Sequence, residues 1–374
     1  MENTIPSDYE LTDEEREDLQ QSVGFEEIPI RFRNQDFDVR GLVQRMKSED
    51  ILIPRIGLRN ESLEMNAFQR GFVWNNRQMD SFVESLLLEY PTPSIFLVQQ
   101  NDRRLIVLDG QQRLETLRVF YSGIRKDRKY RLHLPGSKFD GLSYDELDDK
   151  YRRLLDNTYI TTTIITPSPS NPERSYEAIY DVFARLNSGG AQLTAHEIRL
   201  ALYNGDLMDS IDLVNTTCEA WRTLYGSKEP NKRFRDHELI LRVIAMYLEG
   251  DAYRKPLATF LNSFSSKYRN GGHSAVQDAL CRYRLAAKLL VESGHQFPLS
   301  IPGGRQINTA KVDSVLVGLM SALSHGDISA AFVNSCLSKL EGDNAYLEAI
   351  GRSTSDEQQV VTRITLAKKV FAGE

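Results

Sequence analysis

Ser94-Ile95-Phe96-Leu97-Val98, the turn Gln100-Asn101-Asp102-Arg103, then Leu105-Ile106-Val107-Leu108, Asp109-Gly110 and Gln111-Gln112-Arg113 follow one another in a single run. Two apolar segments around a polar turn predict a β-hairpin. Asp109-Gly110 ends the second strand, and a helix is expected from Gln111 to about Tyr121. The first turn of a helix carries unpaired N–H groups and the positive end of the helix dipole, so this order makes a seat for an anion.

The flanking sequence fills in an α+β domain. Phe37 to Met46 reads as a short helix with Leu42, Val43 and Met46 on one face, and Ile51-Leu52-Ile53 before Pro54 as a short strand. Met79, Phe82, Val83, Leu86 and Leu87 share a helical face over residues 79–88, and Pro91 and Pro93 stop that helix. Residues 125–131 form a basic loop, and β-branched residues 159–165 predict another strand. A Pro/Ser/Asn linker over residues 167–172 marks the expected domain boundary. Beyond it the pattern is helical. Asn171 caps and Pro172 opens the first helix, which ends at Asn187-Ser188-Gly189-Gly190. Thr194 and Glu197 form a capping box for the next. Further helices are expected near 206–225, 236–249, 256–268, 274–293, 309–324, 328–340 and 356–370. The expected organisation is an acidic, disordered tail over 1–27, an α+β nucleotide-binding domain over 28–167 and an all-helical domain over 172–374.

Composition excludes several classes. No window approaches the ~18 uninterrupted apolar residues of a membrane span, and the acidic start lacks the pattern of a secretory signal. Cys218, Cys281 and Cys336 are too scattered for a disulfide framework or a zinc pattern, which fits a reducing cytoplasm and small buried side chains. Net charge is -6, yet residues 1–27 hold ten acids and one base, which leaves +3 for the rest. Such a tail is a solvated arm, with the sharper expectation that it shields a basic groove when DNA is absent.

The chemistry concentrates at residues 109–113. Gly110 allows close backbone approach and a positive φ. Arg113, one turn into the helix, has a fork suited to phosphate oxygens. Asp109 can hold a metal ion or orient a water, and Gln111 and Gln112 can donate to phosphate or position that water. The same letters also fit a plain Asp-Gly turn with Asp109 as N-cap and Arg113 on the surface. No GxxxxGK[ST] loop occurs, so a nucleotide site here is of another type. A second cluster is Phe68-Gln69-Arg70 with Val73-Trp74, where Trp74 fits the core or a stacked base. A third is Phe183 to Glu197, with Asn187, Gly189 and Gly190 between two capped helices.

These clusters, in this order, resemble the N-terminal domain of the GmrSD-type modification-dependent restriction family, whose members are similar in fold to ParB and sulfiredoxin. The resemblance rests on Gln69-Arg70 with Trp74; Glu84-Ser85-Leu86 followed by Pro91 and Pro93; Asp109 to Leu114 with Thr116-Leu117; and Phe183, Arg185-Leu186-Asn187, Gly190, Leu193 and Glu197. Arg235-Asp236-His237-Glu238 to Leu241-Arg242 looks like the family's helical part. It implies a ParB-like fold, a nucleoside triphosphate with Mg²⁺ held at Asp109 to Arg113, and a role in defence against foreign, often modified, DNA. Asp109, Gln112 and Arg113 become the catalytic candidates, Asp109 also the metal ligand. Gln69, Arg70, Gly110, Gln111 and Asn187 become nucleotide contacts, with Asn187 and Glu197 the weaker carry-overs.

Longer members often carry an HNH nuclease domain, and His237, His273, His295 and His325 sit in no such context. His237 reads as helix surface or cap, and Asp148-Asp149-Lys150 as a charged loop rather than a nuclease motif. Arg125, Lys126, Arg128 and Lys129, with Arg131, are the expected DNA contacts, and Lys228, Lys232, Arg233 and Arg235 a second basic stretch. The reading is an NTP-binding and NTP-hydrolysing component of a DNA restriction or anti-phage system. Its expected partners are DNA, a separate nuclease or other effector chain and a possible second copy. The alternatives are a sensing adaptor without turnover, or a nuclease.

Overall fold

The structure, a computed structural model, describes residue 16 and residues 30–53, 74–100, 102–125, 127–168, 172–186, 193–294, 299–300 and 307–374. Its chain contacts divide into two compact units, one of them Val23–Leu193, with Thr194–Glu374 in the other.

The first unit is built on a five-stranded sheet. Strands β1 (Ile30–Asp38), β2 (Ile51–Leu52), β3 (Ile95–Gln99), β4 (Leu105–Asp109) and, after the two short strands introduced below, β7 (Tyr159–Pro167) lie in the order β1-β7-β3-β4-β2. The predicted hairpin is present: β3 and β4 pair antiparallel, with a register shift between Phe96 and Leu97. β3 runs parallel to β7, and β2 parallel to β4. Leu105 to Leu108 are all buried, as expected of a strand covered on both faces. Ile95, Leu97, Leu105, Val107, Ile160 and Ile164 join one core. It is completed by apolar residues of α1 (Val39–Lys47), α2 (Asn76–Leu87) and α3 (Gln111–Ser122), and by Leu155 of α4 (Asp149–Asn157). Val98, Ile106, Leu108 and Ile165 are buried on the alternate face, on the side where α5 (Pro172–Leu186) packs on β7, β1 and β4. The Pro/Ser/Asn linker therefore joins a strand and a helix of the same unit.

Local signals explain where the helices begin. Asp38 accepts from Gly41 N at 2.7 Å to cap α1, and Asn75 and Gln78 form a capping box at α2. Two elements are absent from the sequence reading: β1, exposed over most of its length, and α4, a nine-residue helix with Leu155 its one buried residue. The expected basic loop is instead a tight hairpin of β5 (Ile124–Arg125) and β6 (Arg128–Lys129), turning at Asp127 with φ +60°.

The second unit is helical throughout its described residues. It comprises α6 (Ala195–Leu202), α7 (Asp206–Thr217), α8 (Glu219–Tyr225), α9 (Arg235–Glu249), α10 (Leu257–Lys267), α11 (Ser274–Glu292), α12 (Thr309–Ala322), α13 (Ala330–Glu341), α14 (Asn344–Gly351) and α15 (Glu357–Ala372). The helix expected near 206–225 is two, broken at Cys218, and α14 is an addition. α9 packs against α7, α10, α11 and α12, which buries it on every side over most of its length. Its charged residues are consequently inside and must be paired.

Candidate functional site

The strand–turn–helix junction places Asp109 at the end of β4 and Gly110 in the left-handed region at φ +94°, with no side-chain cap on α3 among the described residues. Asp109 is thus not the N-cap. A Cβ on residue 110 would lie 2.8 Å from Ile95 Cγ1, so glycine is required here twice over, by conformation and by contact with the neighbouring strand.

Arg113 is not a surface residue. It is 8% exposed, and its guanidinium turns back onto the sheet. It donates to the carbonyls of Pro93 and Ser94 (3.1 Å to the latter) and to Asp109 Oδ2 at 2.8 Å. Burial pulls the Arg113 pKa below its usual value, and the Asp109 carboxylate opposes that shift. The expected fork on phosphate is therefore already committed to the start of β3. It locks the β3–β4–α3 junction and fixes one oxygen of Asp109. The other, Oδ1, has no described partner, and the Asp109 side chain is 52% exposed.

Gln111 and Gln112 diverge. Gln111 Nε2 lies 3.4 Å from Val107 O, a long contact back to its own strand. Gln112 Oε1 accepts from Trp74 N at 3.2 Å. Arg125 donates to Trp74 O at 3.1 Å, so α3 and β5 grip the two sides of one peptide segment. The Trp74 ring meets Phe82 edge-on, with centroids 5.7 Å apart, which fits the core reading of this residue. Gln69, Arg70, Lys126 and Asn187 lie outside the described residues.

Behind this junction, Asp80 of α2 is buried, accepts from Tyr130 Oη and faces His133 N at 3.3 Å. Burial raises its pKa, and these hydrogen bonds pull the other way. The tie anchors the segment leaving the β5–β6 hairpin. Of the expected DNA contacts, Arg128 and Lys129 are exposed without a described ion pair, whereas Arg131 pairs with Glu146.

Residues 49–204 match the GmrSD restriction endonuclease, N-terminal domain. That stretch is similar to the N-terminal domain of the GmrSD family. No curated protein and no solved structure matches the chain. The matched stretch contains the whole β2–α6 succession, including the junction just described. Among the described residues, no group of three or more His, Cys, Asp or Glu could hold a metal ion, and no helix is long and apolar enough to cross a membrane.

The helical unit holds a second arrangement that corrects the sequence reading. His237 is buried, not on the helix surface. His237 Nε2 lies 3.2 Å from Met208 O, a pure acceptor, so Nε2 carries the hydrogen and Nδ1 must accept. His196 Nε2 is 2.9 Å away and therefore donates to it, which leaves His196 Nδ1 to accept from Arg199 at 3.0 Å. The geometry selects one tautomer of each ring and keeps both neutral. Burial pushes the His237 pKa down to about 4 and holds that of His196 well below the ordinary value. Arg199 is anchored by Glu238 and Asn262. Glu197, the end of the predicted capping box, also takes Arg233 at 2.8 Å. Arg233 is fully buried and is removed from the basic surface proposed from sequence. Spacing gave no warning of this relay, because His196 and His237 sit on different helices and only packing unites them.

Proposed function

We propose that the GmrSD-type domain binds the polyphosphate of a nucleoside triphosphate at the start of α3, as a component of a DNA restriction system. The observation that carries the reading is the half-exposed Asp109 carboxylate, held by Arg113 beside an uncapped helix N-terminus. The N–H groups of that first turn and the helix dipole favour negative charge. Arg113 is a positioning residue in this scheme, and Asp109 meets the ligand.

The residues present fit a metal that arrives with the phosphates. Mg²⁺ is commonly held by one or two carboxylates plus phosphate oxygens and waters, and the uncommitted Oδ1 of Asp109 meets that need. When bound, Mg²⁺ neutralises charge across the phosphate oxygens. Asp109 would hold it, with Arg113 fixing the orientation of the carboxylate. Gln111 would have to leave its long contact with Val107 O to reach the ligand from the same turn, and Gln69, Arg70 and Asn187 complete the proposed contacts. DNA would lie on Arg128 and Lys129 with Lys126, and cleavage would fall to a separate effector chain.

A second reading, binding without turnover, is favoured by Gln112. Its carbonyl oxygen already accepts from Trp74 N, which takes it away from an attacking water. Phosphate release from each of the four ribonucleoside triphosphates separates the two. Turnover that is lost in Asp109→Asn supports hydrolysis. Binding with no release in the wild type supports the sensing adaptor.

A further inference from the structure

The helical unit contains a cavity of about 380 Å³ outside the stretch matched to the GmrSD domain. Four helices meet there. α9 contributes Tyr247, α11 contributes Asp278 and Arg282, α12 contributes Ser321 and α15 contributes Lys368. The convergence has a packing cause. α12 and α15 approach closely at Gly318, where a Cβ would lie 2.9 Å from the Ala367 carbonyl carbon. Ser321 is one turn beyond Gly318, and Lys368 is the residue after Ala367. The close approach therefore brings hydroxyl and ammonium to one place.

Among the described residues, the charges at this cavity are not matched. Arg282 donates to Tyr247 Oη at 2.9 Å, a neutral partner that leaves most of its N–H groups unused. Lys368 has no described hydrogen bond or ion pair, although it is half-buried. The Ser321 hydroxyl likewise has no described partner. Asp278 lines the cavity but makes no ion pair with either cation. The local balance is two cations against one carboxylate. Half-buried cations without counter-ions gain most from an anion that brings several acceptor oxygens at once. A fork from Arg282, an ammonium from Lys368 and a hydroxyl from Ser321 match the tetrahedral oxygens of phosphate.

We propose that this cavity is a phosphate-binding site, separate from the α3 junction and independent of the function assigned to it. Arg282 and Lys368 supply the charge, Ser321 donates, and Asp278 opposes the anion and so limits its affinity. The phosphate can belong to a free ion or ester, or to the backbone of a nucleic acid.

The test is calorimetric titration of inorganic phosphate into the full chain, alongside duplex DNA binding measured over a range of salt. Phosphate is expected to bind, with Arg282→Gln and Lys368→Gln each weakening it about tenfold or more. Asp278→Asn should tighten it about two- to fivefold by removing a like charge. That gain cannot come from a misfolded variant. Asp109→Asn should leave this binding unchanged. If inorganic phosphate does not bind, yet the Arg282→Gln/Lys368→Gln double variant loses DNA affinity and the salt slope falls by about two, the site takes backbone phosphate. No response of either ligand to these variants, or tightening absent in Asp278→Asn while phosphate binds, overturns the proposal.

Discussion

Removing the His237 imidazole should change the pH dependence of stability in a defined direction. His237 sits between Met208 O and His196 with no room for a second proton, because its Nδ1 must accept from His196. Its pKa is about 4 in the fold against an ordinary 6.5. Between those values the unfolded chain binds a proton that the folded chain refuses. Stability from this group is complete above pH 6.5 and is lost as pH falls toward 4. The slope is about 1.4 kcal/mol per pH unit, so the loss across the window is about 3 kcal/mol. Asp212 acts in the opposite sense: burial and the nearby Asp209 and Asp236 raise its pKa to about 6, so acidification through that value favours the fold. The two contributions overlap and partly cancel in the wild type, which is why a difference must be measured. Urea unfolding of wild type and His237→Gln at several pH values between 4 and 7 supplies it. A Trp74→Phe background leaves Trp221, fully buried in the helical unit, as the sole tryptophan reporter. The wild type should lose its advantage over His237→Gln by about 3 kcal/mol on acidification. Parallel pH profiles for the two proteins would refute the neutral relay.

Two further outcomes follow from the α+β unit. Gly110→Ala should destabilise it by about 2 kcal/mol or more, since φ is +94° and the new methyl would sit 2.8 Å from Ile95 Cγ1; an unchanged melting temperature would contradict this geometry. Neutralising Arg128 and Lys129 together should leave stability intact and lower the salt slope of duplex DNA binding by about two, as seen by fluorescence anisotropy, whereas an unchanged slope removes the hairpin from the DNA contact.

The parts of this fold legible in the sequence are those where local pattern and packing agree. The β3–β4 hairpin, the helix after Gly110 and the Thr194–Glu197 box all follow from apolar runs, turn residues and caps. β1 was not legible, because IRFRNQDFD is exposed along most of its length and carries no alternation; pairing with β7 makes it a strand. α4 was missed for a different reason: Tyr151, Leu154 and Leu155 share one helical face, but the helix is only nine residues long, rich in charge, and buries Leu155 alone. At the candidate site, sequence order identified the strand–turn–helix junction but assigned Arg113 outward. A signal for the inward role existed in the four-residue spacing from Asp109, which permits an ion pair; its bonds to Pro93 O and Ser94 O depend on a strand some twenty residues away. The His196–His237 contact depends on helices brought together over 41 residues of sequence, beyond any local motif.

The most direct measurement is isothermal titration of each ribonucleoside triphosphate, with Mg²⁺, into the wild type and Asp109→Asn. Binding by the wild type with at least tenfold weaker binding by the variant, about 1.4 kcal/mol or more, is the predicted result. Equal affinities in the two proteins, or no heat with any of the four nucleotides, would contradict a polyphosphate site at the start of α3.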